Sequence, residues 1–302
     1  MPTTASLSFT LPSPLTLLPA ELFGCDDVHI QVKRDDLIHP IVSGNKWRKL
    51  QALFSPWPQG KYRGIVSFGG GFSNHLHALG YMCKQYNIPF IAMVRGDYRD
   101  NLSPMLKDLS AWQSDIRWLT KQQYKQRQNH NWLSTQIEQL EDYCVVPEGG
   151  SGQQVHSGMT QLVQELPETL DELICPVASG GTLAGIIQAM WQLKRTTRVT
   201  GIAVLKGQNY LEDLVAACVT APPAMRHPWQ IMHEFHHGGY AKSNAELEQF
   251  CRQFSEKSTI PVEPVYSGKL FFALQQLLNQ GYFKPQSKVA ILHTGGLQGA
   301  RV

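Results

Sequence analysis

The chain has 302 residues, with 27 basic and 24 acidic side chains spread along it and a formal net charge of +3. Single cores stop growing at about 250–300 residues, so two lobes of one compact enzyme are expected. The absence of any like-charge block argues against a nucleic-acid or membrane-surface partner, and no apolar run approaches the roughly 20 residues of a spanning helix.

The first basic residue is Lys33, so a charged secretory leader is lacking and a cytoplasmic location is expected. The six cysteines are isolated, with no Cys-x-x-Cys pair, a pattern of reduced thiols and not of a disulfide framework or zinc knuckle.

In chain order, the proline-rich stretch 11–19 is expected to wrap a surface as extended chain. Val42-Ser43-Gly44-Asn45-Lys46-Trp47-Arg48-Lys49-Leu50 then sets a lysine just past a small-residue turn, where a helical pattern begins. Residues 64–68 read as a buried strand, 74–86 as a helix and 88–94 as a strand, which together make a βαβ unit. A short strand at 115–119, a polar helix at 122–140 and a strand at 144–146 follow, the last feeding Pro147-Glu148-Gly149-Gly150. A second series places a strand at 173–177, a helix at 182–194 and a strand at 199–205, and 288–292 is a final strand into His293-Thr294-Gly295-Gly296. Alternating strands and helices predict an α/β fold of mostly parallel sheets flanked by helices, with ligands at the carboxyl ends of the strands. The glycine turns fall at those ends.

Lys46 alone could be an ordinary solvated lysine. As a Schiff-base amine it must be deprotonated, which requires burial or cationic neighbours; Arg48 and Lys49 supply the charge. Lys49, three residues on, shares its helix face and could reach a phosphate. The turn Ser179-Gly180-Gly181-Thr182 offers backbone N–H groups, two hydroxyls and a helix N-terminus, as a phosphate needs. It has neither a P-loop ending nor G-x-G-x-x-G spacing, so ATP and NAD fit poorly, and a small phosphorylated aldehyde fits better. Ser73 or Asn74 could simply cap the next helix. Equally, the Asn74 amide could bond a phenolic oxygen while Ser73 holds a substrate carboxylate. His233-Glu234-Phe235-His236-His237 is metal-like in composition but lacks His-Glu-x-x-His spacing, and reads as a loop beside the pocket.

Together these motifs resemble the pyridoxal-phosphate enzymes of the tryptophan-synthase-β fold (fold type II), in the group containing 1-aminocyclopropane-1-carboxylate (ACC) deaminase and D-cysteine desulfhydrase. The resemblance runs from about Val32 to the C-terminus. It is carried by Lys33-Arg34-Asp35-Asp36-Leu37, the Gly44 to Leu50 segment, Ser73-Asn74-His75, Pro147-Glu148-Gly149-Gly150, Pro264-Val265-Tyr266-Ser267-Gly268-Lys269 and His293-Thr294-Gly295-Gly296. It implies a homodimer whose larger, cofactor-binding domain comprises residues 1–50 and 153–302, with 51–152 as a smaller inserted domain. It implies pyridoxal 5'-phosphate bound through Lys46, with Lys49, Ser179, Gly180, Gly181 and Thr182 at the phosphate, Asn74 at the ring hydroxyl and Thr294 at the ring nitrogen. Catalysis would fall to Lys46, Ser73, Tyr240 and Tyr266. A small amino-acid substrate would be bound by Ser73, Asn74, His75, Tyr240 and Tyr266.

ACC-deaminase-type members carry Glu after the second tyrosine and Leu before the last Gly-Gly, whereas desulfhydrase-type members carry hydroxyl residues at both places. Here they are Ser267 and Thr294. The expectation is therefore a D-cysteine desulfhydrase giving pyruvate, sulfide and ammonia. The alternatives are an ACC deaminase giving 2-oxobutanoate and ammonia, and a non-catalytic cofactor-binding protein. Ser43, where a glycine is common, and the chain's stop at Val302 depart from the family pattern and bear on substrate more than on cofactor.

Overall fold

The structure, a computed structural model, describes residues 7–54, 61–150, 155–221 and 227–301. Its elements in order are β1 (Leu15–Leu17), β2 (His29–Lys33), α1 (Asn45–Phe54), β3 (Gly64–Gly70), α2 (Asn74–Tyr86), β4 (Phe90–Arg95), α3 (Pro104–Ala111), β5 (Asp115–Leu119), α4 (Lys121–Lys125), α5 (His130–Gln136), β6 (Tyr143–Val146), α6 (Val155–Gln164), β7 (Glu172–Val177), α7 (Gly181–Gln192), β8 (Arg198–Ala203), α8 (Tyr210–Cys218), β9 (Trp229–Met232), α9 (Ala245–Ser258), α10 (Ser267–Asn279) and β10 (Lys288–Leu292).

The strands form two sheets. One has four strands in the order β5-β4-β3-β6, all parallel. The other has six in the order β1-β2-β10-β7-β8-β9, parallel except for β1. Of the expected domain boundaries, 50/51 falls within α1 and 152/153 lies outside the described residues.

Successive strand side chains point to opposite faces, so each buried strand feeds two cores. In the larger sheet Leu173, Cys175 and Val177 pack with Met159, Ile186 and Val215, while Ile174 packs on the other face with Leu270 and Phe271. In the smaller sheet Ile65, Ala92 and Val94 pack with Leu76, Leu79 and Leu106, and Val66, Phe68 and Met93 pack with Tyr124 and Leu133. Full burial of each such side chain contributes roughly 1.5–3 kcal/mol, which explains why these strands read as near-continuous apolar runs. Pro176 is tolerated inside β7 because pairing with β10 ends at Ile174.

Two expected elements differ from the structure. The segment 122–140 is not one helix: α4 ends at Lys125 with Gln126 as its C-cap, and Asn129 starts α5 by accepting a hydrogen bond from the Trp132 N–H at 3.2 Å. An asparagine that competes for backbone donors ends one helix and caps the next. The 11–19 stretch is not only surface coil, since Leu15 to Leu17 add an antiparallel edge strand to β2.

A buried ion network joins α1 to the larger sheet. Arg48, fully buried, pairs with Asp35 at 2.9 Å and with Glu165 at 2.7 Å, and Lys33 pairs with Glu165 at 2.6 Å. Ser13 Oγ donates to Asp35 at 2.6 Å and Lys33 Nζ donates to the Ser13 carbonyl at 2.6 Å. Gly158 on α6 permits the close approach, because a Cβ there would lie 1.7 Å from the Arg48 carbonyl oxygen. The first turn of α1, which carries Lys46, is thus fixed relative to β2 and α6.

Candidate active site

The start of α1, the α7 N-terminus, the start of α2 and the turn after β10 bring several of the sequence-selected residues together. Gly44, at φ +61°, makes the turn into α1; a Cβ there would sit 1.8 Å from the Thr294 carbonyl oxygen, which accepts the Asn45 N–H at 3.3 Å. The loop after β10 and the start of α1 therefore interlock through glycine.

Lys46, in the first turn of α1, is half-buried, and its amine has no hydrogen-bond partner among the described residues. Burial brings its pKa down to about 8. Lys49 is almost wholly buried and donates to the Gly149 carbonyl at 3.1 Å. Its pKa falls well below the ordinary lysine value through burial first and the Lys46 charge second, against a smaller raising effect from Cys218.

The α7 N-terminus begins at Gly180, whose left-handed φ of +75° leaves the first N–H groups of the helix without a side-chain cap. Thr182 accepts from Asn45 Nδ2 at 2.9 Å, which leaves its own hydroxyl proton to donate. Bare N–H groups and a free hydroxyl proton in one turn are donors that an anion requires. With the amine of Lys46 nearby, this donor set fits an aldehyde that carries a phosphate. Ser179 lies in the same turn, between β7 and Gly180.

Ser73 caps α2, its Oγ accepting from the Leu76 N–H at 3.2 Å. Capping and binding are compatible, since the hydroxyl proton remains to be donated. The Asn74 amide oxygen accepts from Gln298 Nε2, and Gly296 is a glycine because a Cβ there would meet Asn74 Nδ2 at 2.4 Å. Tyr240 and Tyr266 meet hydroxyl to hydroxyl at 2.9 Å. Burial raises both phenol pKa values, Tyr266 the more, so both remain protonated donors at neutral pH. His75 is 2% exposed, and its Nε2 lies 2.7 Å from Ser67 Oγ of β3. The helical period places it inside, one residue round from Asn74.

Several contributors are not among the expected site residues. Glu263 caps α10 from below Tyr266, accepting from the N–H groups of Val265, Tyr266 and Ser267 at 2.7–2.9 Å, while burial raises its pKa to about 7. Lys269, fully buried, donates to the Val204 and Gly239 carbonyls and so holds the loop that presents Tyr240. His293 donates from Nε2 to the Pro261 carbonyl and accepts the Gly295 N–H at Nδ1, which fixes the turn beside Thr294. Arg301 bonds Asp108 at 2.7 Å and ties the Gln298 turn to α3. The 233–237 stretch is a loop after β9, in which His233 pairs with Glu212 at 2.7 Å. Among the described residues no group of three or more His, Cys, Asp or Glu side chains could hold a metal, all six cysteines are free, and no helix is long and apolar enough to cross a membrane.

The family model described as "Pyridoxal-phosphate dependent enzyme" matches residues 8–295. A Pyrococcus furiosus protein named "Putative 1-aminocyclopropane-1-carboxylate deaminase" is 27% identical over 95% of this chain and 90% of its own length. The bifunctional D-cysteine desulfhydrase/1-aminocyclopropane-1-carboxylate deaminase of Arabidopsis thaliana is 26% identical over 89% of this chain and 72% of its own. A crystal structure of an ACC deaminase homologue superposes with a TM-score of 0.81 at 24% identity, covering 97% of this chain and 92% of that one, a likeness of fold.

Proposed function

Since the chain belongs to the pyridoxal-phosphate dependent enzymes, within the ACC deaminase/D-cysteine desulfhydrase group, we propose that it eliminates the β-substituent of a small amino acid, with D-cysteine as substrate. The products are pyruvate, sulfide and ammonia, one water being consumed. The cofactor supplies the electron sink for the Cα carbanion. The chain's residues supply the rest. The α7 N-terminus, Thr182 and Lys49 hold the phosphate, Lys46 anchors the aldehyde, and Asn74 orients the ring. Ser73 and the start of α2 bind the substrate carboxylate. Lys46 Nζ takes the Cα proton, and the Tyr240–Tyr266 pair hands a proton to the departing sulfur. The reading carries with it a homodimer and the division of the chain into 51–152 and the remainder.

One observation supports sulfide elimination over cyclopropane opening: neither position that separates the two reaction types brings a carboxylate to the site. Ser267 Oγ is engaged with Glu263, at 2.9 Å from the Glu263 N–H and 3.2 Å from its carboxylate. That carboxylate is itself taken up by the α10 N-terminus. The Thr294 hydroxyl is the polar group left at the other position, nearly buried and without a hydrogen-bond partner among the described residues. A hydroxyl leaves a pyridine nitrogen closer to neutral than a carboxylate would, which suffices for a good leaving group such as sulfide. Offered D-cysteine, L-cysteine and ACC in parallel, the enzyme should release sulfide and 2-oxo acid from D-cysteine at least about tenfold faster than product from the others, a ratio worth 1.4 kcal/mol. Faster 2-oxobutanoate release from ACC would favour the ACC-deaminase reading, to which the Pyrococcus furiosus relative's name points.

The Lys46 titration gives a second test. The neutral amine is the attacking form, and the folded protein holds the pKa at about 8, below the ordinary value. Cofactor capture should therefore speed up about tenfold per pH unit below pH 8 and level off above it, whereas an unshifted lysine, near 10.4, would keep gaining to about pH 10. Stopped-flow absorbance between pH 6 and about 10.5 distinguishes the two.

A further inference from the structure

Ser73 stands between two residues that a single side chain holds. Gln298, in the short turn Leu297–Ala300 that follows β10, donates from Nε2 to the Phe72 carbonyl at 3.1 Å and to the Asn74 amide oxygen. A primary amide nitrogen carries two protons, so both are spent, one on each side of Ser73. The turn can approach because Gly296, at φ +87°, starts it without a side chain, and a Cβ there would run into Asn74 Nδ2.

These contacts fix which way two amides point. A carbonyl oxygen can only accept, so the nitrogen of Gln298, and not its oxygen, must face Phe72. Arg301, which can only donate, lies 3.4 Å from Gln298 Oε1 and requires the same orientation. Arg301 is itself held by Asp108 of α3 at 2.7 Å. The Gln298 nitrogen also faces Asn74, and two amide nitrogens cannot bond each other, so Asn74 must turn its oxygen toward Gln298. Asn74 Nδ2 is the atom left over, and its protons have no acceptor among the described residues. The polarity of Asn74 is thus set from outside α2, by a residue 224 positions away.

We propose that Gln298 is a positioning residue for Asn74: by holding the amide oxygen it keeps Nδ2 as the donor presented to the ring oxygen of the cofactor. The proposal rests on the reading that places Asn74 at that oxygen. Direction matters there, because a phenolic oxygen that has lost its proton can only accept. An amide turned the other way would set two acceptors face to face with no proton between them, and both would go unsatisfied. The two orientations of an asparagine amide are nearly identical in shape, so packing cannot choose between them. Gln298 chooses.

Absorbance titration of the cofactor-free, full-length chain with pyridoxal 5'-phosphate and with its 3-deoxy analogue, which lacks the ring oxygen, tests this. Gln298→Glu keeps the shape, but its carboxylate, ionised near neutral pH, can only accept, and so draws Asn74 Nδ2 toward itself and reverses the amide. It should weaken the natural cofactor about ten- to hundredfold. Gln298→Ala releases Asn74 without reversing it and should cost about two- to tenfold, the worth of one hydrogen bond. Both variants should bind the 3-deoxy analogue as the unaltered chain does, whereas damage to the turn, or repulsion of the phosphate by the new carboxylate, would weaken both cofactors alike. An equal loss for the two cofactors, no loss for either, or Gln298→Ala at least as damaging as Gln298→Glu would overturn the proposal. Asn74→Ala separates it from the reading beneath. Loss of the natural cofactor alone in that variant, with none in the Gln298 variants, overturns only the proposal; no preferential loss in Asn74→Ala itself removes Asn74 from the ring oxygen and overturns both.

Discussion

Lys46→Ala is expected to abolish the visible absorbance of lysine-bound cofactor and to lower turnover by about 10⁴-fold, the upper range for loss of a positioned acid–base group. No neighbour can replace it. Lys49 shares its helix face but is buried and committed to the Gly149 carbonyl. The side chain at 46 is partly buried in the first turn of α1, makes no hydrogen bond among the described residues and carries a charge that burial disfavours, so its removal should not destabilise the fold. Absorbance spectra with added cofactor, turnover assays and thermal unfolding of the same preparation separate loss of chemistry from loss of fold. A variant that keeps the band and full turnover would remove Lys46 from the site.

Asp35→Ala should have the largest effect on stability, a loss of about 3–5 kcal/mol. In the intact network two cations, Arg48 and Lys33, are matched by two carboxylates, Asp35 and Glu165. Without Asp35 both cations depend on Glu165 alone, and the Arg48 guanidinium stays fully buried with half its partners gone. Arg48 lies two residues from Lys46, so the damage should reach the site as weakened cofactor affinity as well as a lower midpoint of urea unfolding. A cost under about 1 kcal/mol would mean that water or a repacked neighbour compensates, and that the network does not orient α1.

The parts of the fold legible in the sequence were those with a local cause. The strand 288–292 is a short, mostly apolar run, 115–119 alternates polar and apolar residues, and α2 spans 74–86 as its apolar period and Ser73 cap indicate. The glycine turns lie at strand ends because only glycine fits where Gly44 meets Thr294 or Gly296 meets Asn74. The break between α4 and α5 was missed because Gln126 to Asn129 have no proline or glycine; the cap formed by Asn129 decides it. In the site, residue types near Lys46 could be selected, but their partners could not. Asn74 and Gln298 are 224 positions apart, and Ser67 looks like any small residue inside a strand. Such contacts join segments far apart in the chain and leave no periodic trace in it. The contact between His75 and Ser67 is likewise invisible in the chain.

The most direct test of the central claim is to incubate the chain with pyridoxal phosphate, reduce it with borohydride and locate the adduct by peptide mass spectrometry. A single pyridoxyl group on Lys46, absent when inorganic phosphate competes at high concentration, is the result predicted by an amine held near a helix N-terminus that binds phosphate. Label on Lys49, scattered label on surface lysines, or no label at all would contradict it.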